Sequence, residues 1–120
     1  MKRDWELVRK ILIAVEDIQG HDQQVDGTSI PGHDEPLVSY HIYLLKEAGL
    51  LEAVCSNPLS GHRTCYAFEL TWEGHEFLDQ IRPQGVWNKT VGLIREKGLD
   101  LSFSTIKAAA AAVAKSLIAF

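Results

Sequence analysis

The chain has 120 residues, of which 46% are hydrophobic and 23% are charged, and its formal net charge is −4. This length and composition suit one folded domain and argue against intrinsic disorder. The negative charge excludes a uniformly basic nucleic-acid binder, so a DNA-binding protein of this composition would have to gather its Lys and Arg on one face.

The sequence also carries information about the cellular compartment. Glu6, Arg9 and Lys10 interrupt the first apolar segment, so we expect no secretory signal. No stretch reaches the ~20 apolar residues that a membrane span needs. We therefore expect a cytoplasmic protein without membrane contact, in which Cys55 and Cys65 are reduced thiols.

The first predicted element is an amphipathic helix. Asp4 is its N-cap, apolar residues recur at helical spacing from Trp5, and the helix is predicted to end near Ile18 with Gly20 as its stop. Periodicity is then lost over residues 19–34, which predicts a polar loop without a helix of its own. A turn is expected in it at Asp26 and Gly27.

A second helix is predicted over residues 34–48, with Pro36 in its first turn and Gly49 as its left-handed C-terminal residue. The side chains expected to be buried follow one stripe: Leu37, Val38, His41, Ile42, Leu44, Leu45 and Ala48. The expected exposed face carries Glu35, Ser39, Tyr40, Tyr43, Lys46 and Glu47.

Residues 51–56 and 64–70 are predicted to be the two strands of a hairpin. Cys55 and Cys65 are equidistant from Ser60 and are expected to lie opposite each other. A zinc site with His62, a disulfide and plain packing remain alternatives. Packing is favoured, because zinc takes four ligands in closely spaced pairs.

Thr71 is predicted to cap a helix over residues 72–81 that is buried through Trp72, Phe77, Leu78 and Ile81. Two further helices are expected over residues 86–97 and from 103 onwards. The order helix, polar loop, helix, β-hairpin wing, helix is that of a winged-helix domain. We therefore predict an α+β, mostly α, single domain, with a winged-helix-like core (1–82) and a two-helix C-terminal extension (86–120).

Three segments resemble a known protein family: MKRD at residues 1–4, YHIYLLKEAGL at 40–50 and LTWEGHEFLD at 70–79. The family comprises small bacterial, phage and prophage proteins and is catalogued as domain of unknown function 2513. The resemblance covers most of the chain and implies a winged-helix-like fold and a mobile-element context. It implies no activity, cofactor or site residue. Residues 39–50 also resemble the recognition-helix end of winged-helix repressors, although this sequence lacks their preceding helix.

Two functions follow as alternatives, and the first is a dimeric DNA-binding regulator. Its contacts are predicted at Ser39, Tyr40, Tyr43 and Lys46 on the second helix, at Arg63 in the hairpin, and in a basic cluster of Lys2, Arg3, Arg9 and Lys10. The segment from residue 33 to 66 holds only two basic residues against four acidic ones. A specific DNA binder makes about 6–10 phosphate contacts, more than this segment supplies.

The second alternative is a protein-interaction module, for example one that binds and inhibits a host or defence complex through Tyr40 and Tyr43. The last helix carries an apolar seam: Phe103, Ile106, Ala110, Val113, Leu117 and Phe120. We expect this seam to be core, a homodimer interface or a docking face for another protein.

The residues that suggest chemistry lack partners in the sequence. Turn formation and helix capping explain the two His-Asp pairs at His21 and His33. His41 is expected to be a hydrogen-bonded core residue, and His75 to have a surface or packing role. Because no phosphate-binding loop or catalytic triad signature is present, we predict a non-enzymatic protein without a cofactor, metal or small-molecule substrate.

Overall fold

The computed structural model describes residues 2–56, 59, 61 and 63–118. They form five helices and one antiparallel two-stranded sheet. The elements are α1 (Trp5–Glu16), α2 (Glu35–Glu47), β1 (Leu51–Cys55), β2 (Cys65–Leu70), α3 (Trp72–Ile81), α4 (Gln84–Glu96) and α5 (Phe103–Ile118). The predicted α+β, mostly helical class and the order of its elements are confirmed.

The chain divides into two compact units, residues 1–75 and 76–120. The division falls inside α3, so that this helix begins in the first unit and ends in the second. The sequence predicts one domain, with a core over residues 1–82 and an extension over residues 86–120.

In the first unit, α1 and α2 pack on each other and on the hairpin. The Asp4 carboxylate caps α1 by accepting hydrogen bonds from the backbone N–H groups of Glu6 and Leu7, at 3.1 and 3.2 Å. β1 buries alternate side chains, as expected for a sheet that is covered on one face, whereas β2 interrupts this alternation at Phe68 and Glu69, which are both exposed. The buried side chains from these elements include Leu7, Ile11, Leu12, Val38, Ile42, Leu45, Leu51, Ala53 and Ala67.

His41 on α2 links this helix to the start of α1 by a hydrogen bond. Its ring is fully buried, and its Nε2 accepts the backbone N–H of Asp4 at 2.8 Å. Its Nδ1 lies 2.9 Å from the carbonyl oxygen of Leu37 and donates to it, as a neutral imidazole with one donor and one acceptor can. The prediction of a hydrogen-bonded core histidine is confirmed.

The hairpin places Cys55 directly opposite Cys65, as predicted, and the two form a disulfide. The expectation of two reduced, merely packed thiols is therefore wrong. The physical reason is the register, which brings the two side chains into bonding distance across the strands. His62, the third member of the alternative zinc site, lies outside the described residues.

Residues 17–34, all of which the structure describes, contain no helix, as the loss of periodicity predicted. The loop is nevertheless tied to the sheet, because Val25 and Ala67 exchange two backbone hydrogen bonds of 2.9 and 2.8 Å. The predicted turn comes directly after Val25 in the chain, and in it the Ser29 N–H donates to the carbonyl of Asp26 at 3.1 Å. Val25 thus pairs with β2 rather than across its own turn.

The Asp26 carboxylate organises this turn and makes its stability depend on pH. The hydroxyl of Thr28, with smaller help from the Thr28 N–H and the Ser29 hydroxyl, lowers the pKa of Asp26, although partial burial opposes the shift. A depressed folded-state pKa adds stability above the unfolded pKa of about 4, and this stability is lost as pH falls through the folded pKa.

We therefore expect Asp26→Asn to be less stable than wild type at pH 6, and the difference to shrink below about pH 4. Urea unfolding of both proteins across a pH series measures it. A difference that stays constant down to pH 2 would show that the Asp26 charge contributes nothing to the turn.

Trp72 corrects a prediction about α3. The sequence placed it among the buried residues, but its side chain is 78% exposed, whereas Phe77, Leu78 and Ile81 are buried as predicted. Gly74 faces inward near the start of the helix. Trp72 lies two residues before Gly74. At 3.6 residues per turn, its side chain therefore points roughly 200° around the helix axis from the inward-facing side at Gly74.

In the second unit, α4 packs along α5. The buried side chains of α4 are Trp87, Thr90, Val91 and Ile94. The rings of Phe77 and Phe103 lie 4.7 Å apart between centroids. Among the described residues, no helix combines the length and the apolar character that crossing a bilayer requires.

Candidate functional site

The end of α2 is built as the sequence predicted. Gly49 has a φ of +78°, and the N–H of Leu50 donates to the carbonyl of Leu45 at 3.0 Å. This left-handed ending turns the chain back and buries Leu50 against the last turn of the helix. It fixes the angle at which α2 meets β1.

Two of the segments that resemble the family, residues 40–50 and 70–79, are in contact at the end of α2. The Thr71 hydroxyl donates to the carbonyl of Gly49 at 2.6 Å and accepts the N–H of Gly74 at 3.0 Å. The Thr71 N–H donates to the carbonyl of Leu50 at 3.1 Å. Thr71 is therefore the predicted cap of α3, and it also joins α3 to the end of α2.

Two residues predicted to contact a partner are in contact with each other. The Arg63 guanidinium lies over the Tyr43 ring, 3.8 Å from its centroid, and both side chains are half-buried. This is a cation–π arrangement. The sequence named both residues but carried no signal for their stacking, which depends on the approach of the hairpin to α2.

Tyr40 and Lys46 extend this surface along α2, because residues three apart lie on one side of a helix. Tyr40 is half-buried, with its ring edge-on to His41 at 5.9 Å, and Lys46 is exposed. We call the set of Tyr40, Tyr43, Lys46 and Arg63 the Tyr–Arg surface.

Ser39 was predicted on the exposed face and is instead 0% exposed. The loop that precedes α2 covers it: a Cβ added at Gly27 would lie 2.9 Å from the Ser39 Oγ. The assignment of Ser39 as a contact residue is therefore wrong in this fold. Among the described residues, its Oγ is a buried polar side-chain atom without a hydrogen-bond partner.

Removing this hydroxyl should leave the fold unharmed. We expect Ser39→Ala to change the free energy of unfolding by less than about 1 kcal/mol, with stabilisation favoured, because a buried hydroxyl without a partner carries a desolvation cost. Thr71→Ala, which removes a hydroxyl with two partners, is the control and should cost about 1 kcal/mol or more. Urea unfolding compares the two, and a larger loss for Ser39→Ala than for Thr71→Ala would contradict the assignment.

The predicted basic cluster in residues 2–10 is only partly exposed. Lys2, Arg3 and Lys10 are exposed, but Arg9 is 8% exposed and cannot join them at the surface. Arg9 falls among the buried residues of the helix, between Val8 and Ile11. Residues 1–75 hold six Lys and Arg against twelve Asp and Glu, a net charge of −6 for the first unit.

The predicted oligomer seam is largely covered by the chain itself. Ile106, Ala110 and Val113 are buried without a second chain, whereas Leu117 is 51% exposed. Phe120 lies outside the described residues. The exposed apolar surface at this end of α5 is therefore Leu117 with its neighbour Ile118.

A second candidate site is an open cleft of about 600 Å³ in the first unit. The last turn of α1 and the turn after it form one wall, and the end of β2 with the first turn of α3 forms the other. His21 and His75, which the sequence presented as unrelated, both line it. No group of three His, Cys, Asp or Glu side chains is placed to hold a metal ion in the part of the chain that the structure describes.

Comparison with known proteins agrees with the resemblance seen in the sequence. The model of a family described as "Hypothetical protein (DUF2513)" matches residues 2–100. An uncharacterized protein of Haemophilus influenzae is 40% identical over 123 residues, which cover 99% of this chain and the whole relative. No solved structure matches the chain. The chain belongs to the DUF2513 family.

Proposed function

We propose that the chain is a non-enzymatic binding module, winged-helix-like in residues 2–75, that binds a protein through the Tyr–Arg surface. The observation that carries the proposal is the guanidinium of Arg63 stacked on Tyr43 in a unit of net charge −6. Tyr and Arg are enriched at the energetic centres of protein interfaces. A guanidinium already held flat loses less conformational freedom when its N–H groups meet a partner.

The charge of the first unit argues for a protein over DNA. Its exposed cations are Lys2, Arg3, Lys10 and Lys46, and Arg63 is half-buried on Tyr43. These are fewer than the roughly 6–10 phosphate contacts of a specific DNA binder, and the surrounding field repels phosphate.

Site-specific photo-cross-linking in bacterial cells tests the protein proposal. We expect a photoreactive residue at Lys46 to give a discrete protein adduct that Arg63→Ala abolishes and Arg63→Lys weakens, because lysine keeps the charge but not the planar stacking. The same probe at Lys89, which is exposed on α4, is the control. An adduct of equal yield at both positions, or one indifferent to Arg63→Ala, would contradict the proposal.

A DNA-binding regulator is the second candidate, and the order of elements favours it. The helix, loop, helix, hairpin and helix follow the winged-helix order, and the Val25–Ala67 bridge adds a segment from the loop to the hairpin. A salt series with mixed-sequence duplex DNA decides between the candidates. Binding that falls steeply with salt and is lost when Lys2, Arg3 and Lys10 are all replaced by alanine would favour DNA.

The choice between a protein and a DNA partner does not affect the remaining predictions about cellular context and assembly. A cytoplasmic location, a phage- or prophage-type role and self-association stay predictions. The exposed Leu117 and Ile118 support self-association, and sedimentation at high concentration measures it.

A further inference from the structure

We propose that the cleft beside β2, here called the Phe68 cleft, binds an arginine side chain of a protein partner. In this arrangement the guanidinium lies over the Phe68 ring and against the Glu69 carboxylate. The site shares no residue with the Tyr–Arg surface and goes beyond the function proposed for it.

A β-bulge places the aromatic ring in the cleft. Glu52 pairs with Glu69 and Ala53 pairs with Ala67, so Phe68 is the extra residue of β2 and has no partner on β1. A bulge bends the strand and re-aims the side chain it carries. The Phe68 side chain is 39% exposed and lines the cleft, where its ring face attracts cations.

The charges around the ring are negative. Glu16 and Glu69 line the cleft, and no Lys or Arg does. Glu69 also lies directly opposite Glu52 across the strands, and like charges in this position destabilise a sheet. The Glu69 carboxylate has no hydrogen bond or ion pair to the other described residues, so a bound cation can pair with it.

The cleft has room for a side chain that enters from a partner protein. Its volume is about 600 Å³ and it opens to solvent, so the backbone of a partner can remain outside. Its wall is preformed, because the Gln19 N–H donates to the Gln23 side chain at 2.9 Å and the Gln23 N–H donates to the carbonyl of Gly20 at 3.1 Å. A preformed wall lowers the ordering cost of binding.

Arginine suits this arrangement better than lysine. Its guanidinium is planar and more weakly hydrated than an ammonium group, stacks on aromatic faces and offers paired N–H groups to a carboxylate. The net charge of −6 on residues 1–75 attracts a basic protein.

The test is an NMR titration with acetyl-Gly-Arg-Gly-amide. The control ligand is the same peptide with citrulline in place of arginine, because citrulline keeps the shape of the side chain without its charge. We expect saturable shifts of the backbone amides of residues 19–23 and 68–70, with a Kd in the millimolar range for so short a probe. The citrulline peptide should bind at least about threefold more weakly, which is the loss of a charge-assisted contact at an exposed site.

Single substitutions test the contact with the Phe68 ring and the contact with the Glu69 carboxylate separately. Phe68→Leu, which keeps apolar volume, and Glu69→Gln should each raise the Kd about two- to fivefold. Glu69→Gln should fold at least as stably as wild type, since it relieves the repulsion from Glu52. Glu52→Gln is the control, because Glu52 does not line the cleft, and it should change the Kd less than twofold. Arg63→Ala should leave the Kd of the arginine peptide unchanged. A result that contradicts the Phe68 cleft proposal is therefore distinguishable from one that contradicts the Tyr–Arg surface proposal.

The proposal would be overturned by the absence of shifts in these amides at the highest peptide concentration, by equal binding of the citrulline peptide, or by a Phe68→Leu Kd equal to that of wild type. Free L-arginine binding more tightly than the peptide would also overturn it, by assigning the cleft to a small molecule.

Discussion

Replacing Gly74 by alanine should lower the free energy of unfolding by about 3 kcal/mol or more. A Cβ at this position would overlap the carbonyl oxygen of Leu50, which is backbone and already accepts the Thr71 N–H. The clash cannot be relieved by a rotamer change, so α3 must move away from the end of α2. The gain in helix propensity from glycine to alanine is only about 1 kcal/mol and does not offset this cost.

Gly92→Ala provides the matched control, because Gly92 lies within α4 with no atom within 4 Å of an added Cβ. We expect this variant to be stabilised by up to about 1 kcal/mol. Urea unfolding followed by circular dichroism measures both variants. If Gly74→Ala were as stable as Gly92→Ala, the close approach of α3 to Leu50 would be disproved.

Reduction of the Cys55–Cys65 disulfide should lower the free energy of unfolding by about 2–3 kcal/mol. The two cysteines are 10 residues apart, and cross-linking a loop of this length restricts the unfolded chain by about that amount. The hairpin should survive reduction, because the strands keep their register and the Ser56 N–H still donates to the carbonyl of Thr64.

Urea unfolding with and without a phosphine reductant measures this effect. The double variant Cys55→Ala, Cys65→Ala is the control, because its stability should match that of the reduced wild type and should not respond to the reductant. A wild-type protein equally stable in both conditions would show that the bond does not contribute.

The features predicted correctly from the sequence are mostly local. The Asp4 cap, the Gly49 ending and the Thr71 cap each depend on a side chain or backbone conformation within a few residues. The pairing of Cys55 with Cys65 is also local, because the two residues are equidistant in sequence from the predicted turn.

The error at Ser39 comes from packing between segments distant in sequence. Helical periodicity placed Ser39 on the exposed face of α2, but a loop without periodicity covers it at Gly27. Helical spacing places Arg9 beside the buried Trp5 and Leu12, so its predicted exposure followed from its charge and not from its position in α1.

The candidate sites were predictable only in part. Tyr43 and Arg63 were named from their residue types, but their stacking depends on the hairpin reaching α2. The Phe68 cleft was not predicted, since the bulge that exposes Phe68 is a mismatch of one residue between the strands and leaves no periodic signal.

The paired hydrogen bonds between Val25 and Ala67 join the polar loop to β2, and we expect the two to unfold together. Each of the two residues donates to the carbonyl of the other, so neither amide can be released while the other bond holds its geometry. Deuterium should therefore enter both amides through the same opening event, and the loop over residues 19–34 should lose its order when β2 separates. We therefore expect a segment that lacks regular structure to exchange its amide hydrogens together with the sheet.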